Sequence, residues 1–327
     1  MQRDLGSFRS IRVNNFFFFV ALLVAGAMQS GLPPWSAYPF MALMGLLLLF
    51  PLSSDPLDKI PRERLALWPI DTWTRFALRL TSLALSPILW IAILFALKKS
   101  TSTMALSFIA LAIVVRGIAF VGLRVPRVPN LPLLPGRLGG MITHHAREMF
   151  CLLDTYIAVS LSVLGAVYRI FGTHPDPAAF PVLAILVSLA LSTSAQSLFG
   201  LDFDSGTTLC RLLPVRGWEV LFAKDIAFLG ILFLLVLPLA PLPGMVSGMA
   251  ALAIDHHSSV FLRLPLQRWR FAGGRLLPVG ALQAIAVVAF GSAAQSSPAR
   301  MLAITSAGFV LSVYFYGKRW EISARRD

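Results

Sequence analysis

The sequence predicts an all-α fold, a polytopic transmembrane helical bundle of about ten spans, with eight to ten as the range. Three observations carry this. Of the 327 residues 57% are hydrophobic and only 13% charged, about half the charge of a soluble domain. The apolar residues form successive long stretches of low charge. The basic residues gather in alternate gaps between those stretches, as loops on the cytosolic side do.

The stretches fall at 15–30, 37–51, 81–97, 103–122, 150–170, 179–199, 225–240, 242–254, 278–292 and 301–317. Several are shorter than the roughly 20 residues of a spanning helix. The pair flanking Pro241 and Pro243 reads as two spans or as one re-entrant hairpin. The first stretch follows Arg3, Arg9 and Arg12 as a signal peptide would. No convincing small-residue cleavage site comes after it, so it reads as a retained span. The chain divides into a first membrane half, 1–148, with about four spans, and a second, 149–327, with about six.

With the N-terminus placed inside, 23 of the 28 basic residues fall on the inner side. The exceptions are Lys98, Lys99, Arg116, Arg169 and Arg300. Both termini are therefore expected in the cytosol, in a multi-pass protein of the inner (cytoplasmic) membrane. The outer gaps are too short for an extracytosolic domain. A net charge of +13 raises nucleic acid as a partner, but no aromatics interleave with the basic residues as a base-stacking surface requires. The lipid bilayer is the expected surroundings, and nucleic acid is not an expected partner. Cys151 and Cys210 read as two reduced thiols.

An internal repeat stands on the inner side. Residues 67–83 read LWPIDTWTRFALRLTSL and residues 212–229 read LLPVRGWEVLFAKDIAFL. Pro69 aligns with Pro214, Trp73 with Trp218 and Arg79 with Lys224, all at one offset. A proline is tolerated at a helix start, where its missing N–H has no intrahelical acceptor. Tryptophan suits the membrane interface, and a long cation can reach back to it. Each copy therefore reads as a short interfacial helix on the cytosolic face, leading into a span. Two copies suggest a duplicated architecture, as in many transporters.

The stretch SLFGLDFDSGTTLCRLLPVRGWEVLFAKDIA (197–227) resembles the motif region of ABC-2-type exporter permeases. Phe199, Gly200, Asp202, Pro214, Val215 and Lys224 match that pattern, while Ser197, Ala223 and Asp225 depart from it. The resemblance implies the membrane subunit of an ATP-driven exporter. It implies coupling to a separate nucleotide-binding subunit through segments 201–224 and 55–79. Gly200, Asp202, Pro214, Trp218 and Lys224 are then the coupling residues, with Pro69, Trp73 and Arg79 as first-half counterparts. One or two copies of the chain are both compatible with it.

The sequence holds no phosphate-binding loop, so ATP hydrolysis is expected in a partner chain and no enzyme activity in this one. Asp55 and Asp58, with Asp202 and Asp204, leave an alternative: a membrane-embedded transferase acting on a lipid-linked substrate. A scaffold or secondary carrier is the third reading. No metal and no cofactor is expected. His144-His145 and His256-His257 read as solvated loop histidines, since adjacent side chains on a helix diverge. Arg116 and Asp154 fall inside spans and form a candidate intramembrane pair.

Overall fold

The structure is a computed structural model. It describes residues 71, 73–74, 77–78, 81, 131–171, 174–200, 215–262, 266, 272 and 280–324. The chain forms two compact units, Ser36–Pro126 on the one hand and Met1–Trp35 with Arg127–Asp327 on the other. The first four predicted spans lie outside the described residues.

In the smaller unit, residues 73, 74, 77, 78 and 81 are helical. Asp71 starts this turn by accepting the Thr74 N–H at 3.2 Å, as a capping aspartate does. Hydrogen bonding from Thr74, its side chain foremost and its backbone N–H with it, holds the Asp71 carboxyl below the ordinary carboxylate range.

The larger unit is all-helical among the described residues. Its helices are α1 (Gly139–Met149), α2 (Leu153–Phe171), α3 (Ala179–Ala195), α4 (Gly217–Val236), α5 (Pro241–Leu262), α6 (Ala281–Ser296) and α7 (Pro298–Ala324). Pro241 and Pro298 open α5 and α7, where their missing N–H costs nothing. The Pro241 region is thus two full antiparallel helices rather than a re-entrant hairpin. α5 packs against α3, α4, α6 and α7 and is the centre of the bundle. Two helical stretches, Leu153–Phe171 and Pro298–Ile322, are long and apolar enough to cross a membrane. Ala179–Ala195 and Ala281–Ser296 are apolar but shorter.

The second repeat copy differs from its expected form. Trp218 and Lys224 sit on α4 itself, which runs unbroken from Gly217 to Val236. Among the described residues of this copy, 215–229, no separate interfacial helix precedes α4. The Glu219 carboxylate takes the Arg216 N–H at 2.6 Å and starts the helix at once.

Polarity runs inside out. Asp154, Asp225, Asp255, His256, Gln196 and Gln283 are wholly buried, while Leu311, Tyr314 and Phe315 on α7 are more than three-fifths exposed. Water-soluble proteins bury the second kind and expose the first. The helices are joined by serine hydroxyls donating to a neighbour's backbone. Ser162 reaches Leu235 O at 2.5 Å, Ser188 Gly244 O at 2.9 Å, Ser247 Val287 O at 2.8 Å and Ser259 Ala195 O at 2.5 Å. A small apolar cluster of Ile185, Leu189, Ala251, Ala284 and Val287 fills the α3–α5–α6 junction.

Candidate functional site

The ionisable side chains converge on one end of this bundle, where α4 and α6 begin and α3, α5 and α7 finish. Lys224 lies two turns into α4 and is 5% exposed. Its Nζ donates to Leu198 O at 2.9 Å, at the end of α3, and stands 5.0 Å over the Phe199 ring. It also lies 3.4 Å from His145 Nδ1 on α1. The same His145 nitrogen is 3.3 Å from Glu148 Oε2, and His144 Nε2 is 3.5 Å from Glu148 Oε1. One neutral imidazole nitrogen cannot accept from the lysine and donate to the carboxylate at once. His145 is therefore a two-way link between a buried cation and a buried anion. Burial by itself raises the Glu148 carboxyl; the His145 hydrogen bond and the Lys224 charge, helped by both histidines, outweigh it and hold Glu148 below the ordinary glutamate range.

This cluster closes the motif stretch on itself. Phe199 stacks on Trp320 of α7 at 5.7 Å. Gly217 meets the Gly317 backbone so closely that a Cβ on it would stand 2.3 Å from Gly317 O. Arg137 pairs with Glu219 at 3.8 Å. A cavity of about 10 Å³, room for one water, is lined by His145, Met149, Ser194, Ser197 and Leu198 among others. Ser197 Oγ, buried there, has no hydrogen-bond partner among the described residues.

Asp225, the next residue of α4, faces the other way. His256 Nε2 of α5 is 3.1 Å from the Asp225 carboxylate, and His256 Nδ1 is 2.7 Å from Ser312 Oγ of α7. Ser312 Oγ also donates to Ala253 O at 2.9 Å. The residue types are those of a hydrolase triad, but His256 and Asp225 are wholly buried and Ser312 is 9% exposed. Buried in this way, the chain of contacts ties α4, α5 and α7 together.

The predicted residues divide accordingly. Trp73 is 76% and Trp218 36% exposed, so both present an indole ring at the surface of their units. Gly200 is half-buried beside the cluster, and its carbonyl accepts the Leu266 N–H at 2.9 Å. Lys224 is a buried strut and not an exposed contact. Asp202, Pro214, Pro69, Arg79 and Arg116 lie outside the described residues. Asp154 does not reach the bundle surface as a snorkelling residue would; it is wholly buried and accepts the Ala272 N–H at 2.6 Å. The histidines need correction too. Both pairs lie on helices, and one member of each, His145 and His256, is buried where acidic partners hold it. His144 and His257 are exposed. Cys151 is a buried thiol whose Sγ lies 3.6 Å from Arg147 O.

Sequence reasoning missed Asp225, Asp255, His256 and Gln283 as interior groups. Comparison with protein-family models, with curated proteins and with solved structures finds no match for this chain.

Proposed function

We propose that this chain is the multi-pass permease subunit of an ATP-driven exporter of the ABC-2 kind, with ATP hydrolysed by a separate nucleotide-binding subunit. The observation that carries the reading is the Lys224 cluster. It fastens the end of α3 to α4 and α1, so the two flanks of the 201–214 segment form one mechanical block. A partner that presses on this segment then moves α3 and α4 together. The exposed Trp218 supplies contact surface, and the buried Lys224 transmits the displacement. The inside-out polarity supports a chain that spans the bilayer several times: an apolar exterior solvated by lipid and helices joined through interior hydroxyls. The basic end of the sequence pattern supports cytosolic termini at the inner membrane.

The reading is tested by purifying the tagged chain in mild detergent and assaying ATP hydrolysis. An ATPase with a phosphate-binding loop is expected to co-purify. Trp218→Ala is expected to lower its retention, whereas Lys224→Met retains it but loses the stimulation of hydrolysis by the permease. A preparation that is stable, intact and free of any ATPase refutes the proposal.

A second reading has its own support. The buried charges Asp225, Asp255 and His256 in the bundle favour a cation-driven carrier, because ionisable groups inside spans mark ion paths.

A further inference from the structure

Asp255 and His256 are neighbours on α5 and face opposite sides of it. His256 is engaged by Asp225 and Ser312. Asp255 faces α3 and α6, is wholly buried, and receives one hydrogen bond, from Gln283 Nε2 to Oδ2. Its other oxygen, Oδ1, is buried and has no hydrogen-bond partner among the described residues. Gln283 is not free to cover it. The same amide nitrogen donates to Ser192 O at 2.7 Å, and Gln283 Oε1 accepts from Gln196 Nε2 at 2.6 Å.

The elements packed on α5 bring Asp255 no cation among the described residues. α3 and α6 present the neutral Ser192, Gln196 and Gln283. α4 carries Asp225, an anion already bonded to His256, and Lys224, committed to Leu198 O and the His145–Glu148 pair. The basic residues described near the end of α7, Lys318 and Arg319, are both exposed, and Arg319 lies 6.0 Å over the Phe261 ring. An isolated buried carboxylate is costly to leave charged, so a site built this way is completed by a positive charge from outside the protein.

We propose that Asp255 binds one small monovalent cation, a proton or a sodium ion, inside the bundle between α3, α5 and α6. A proton adds to Oδ1 through an oxygen lone pair and nothing leaves. A sodium ion takes Oδ1 as its anionic ligand. Either source neutralises the site, and its gain or loss switches the charge at the junction of three helices. The site does not rest on the permease reading.

The full chain is purified into lipid nanodiscs as wild type, Asp255→Asn, Asp154→Asn and Asp225→Asn. Infrared spectra are recorded at neutral pH, and melting is followed in sodium chloride and in choline chloride. If the ligand is a proton, a carboxylic-acid carbonyl band appears in wild type and is lost only in Asp255→Asn, and melting is the same in both salts. If it is sodium, wild type melts higher in sodium chloride, and Asp255→Asn loses that difference. An acid band that Asp255→Asn leaves unchanged, or no band at all, together with melting indifferent to sodium overturns the proposal. Should Asp255→Asn fail to fold, Asp255→Glu replaces it: it is expected to shift the acid band or alter the sodium response. A wild type showing neither signal decides against the site without any variant.

Discussion

Replacing Lys224 by methionine keeps the aliphatic stem and removes only the charge, so the change reads the electrostatics of the site without opening a large cavity. Two terms follow from the geometry. The charge-assisted bond to Leu198 O, at 2.9 Å, is worth about 1.5–3 kcal/mol. Glu148, 5% exposed, loses the cation that offsets its burial, and breaking a buried pair from one side costs about 3–5 kcal/mol. These terms overlap, because both describe removal of the same charge. The expected loss is therefore about 3–5 kcal/mol. Glu148→Gln alone costs less, about 1–3 kcal/mol, since Lys224 keeps its carbonyl and the Phe199 ring. The double variant recovers about 1–2 kcal/mol relative to the sum, the coupling of two groups joined through His145.

The assay is denaturant unfolding in detergent, followed by far-ultraviolet dichroism for all four proteins. Acid adds a sign. Because the folded Glu148 carboxyl is held low, its contribution is complete above the unfolded glutamate value and is lost as pH falls through the lower folded one. The Glu148 contribution thus stays whole down to about pH 4.5, the ordinary glutamate value, and the gap between wild type and Glu148→Gln closes below it. Lys224→Met within about 1 kcal/mol of wild type, or strictly additive variants, would refute the idea of one linked cluster.

Two further predictions test the packing around it. Gly317→Ala places a Cβ 2.3 Å from Trp218 Cα and should cost about 1–3 kcal/mol of unfolding free energy; Gly308→Ala on the same helix, where nothing lies within 4 Å, should cost nothing. His256→Leu strands the wholly buried Asp225 and should destabilise by about 3–5 kcal/mol in the same unfolding assay, whereas the paired His256→Leu, Asp225→Leu change should recover most of that loss.

The sequence pattern located α2 to α7, since each of the last six apolar stretches coincides with a helix. It misjudged where they end. The stretch at 242–254 stopped at Asp255, yet α5 continues to Leu262. The stretch at 225–240 began after Lys224, yet α4 starts at Gly217. Hydropathy stops at a charge because it prices each residue alone. In the folded bundle Lys224 is held by Leu198 O and His145 and Asp255 by Gln283, and a buried polar side chain with such partners does not end a helix. Partner identity is long-range information: Lys224 meets His145, and His256 meets Asp225 and Ser312. No spacing along one helix encodes it. A usable signal was present all the same. Asp255, His256, Ser258 and Ser259 crowd the end of one apolar stretch, and polar residues there deserve a functional reading before a loop reading.

The distribution of polar groups along the bundle then separates two mechanical roles. Away from the Lys224 end, the helices are joined by the neutral donors Ser162, Ser188 and Ser247 and by the Arg169 guanidinium, which donates to Pro238 O at 2.9 Å and to Leu239 O at 3.2 Å. At the Lys224 end the ties are Lys224–Leu198, Asp225–His256 and Asp255–Gln283, and each depends on a charge state. The ties at the Lys224 end are thus the ones that a change of charge would alter. Conformational change needs such a discrete, biasable element. The motif stretch 197–227 enters the bundle at that biasable end, so a force or a charge delivered there acts where the packing can rearrange.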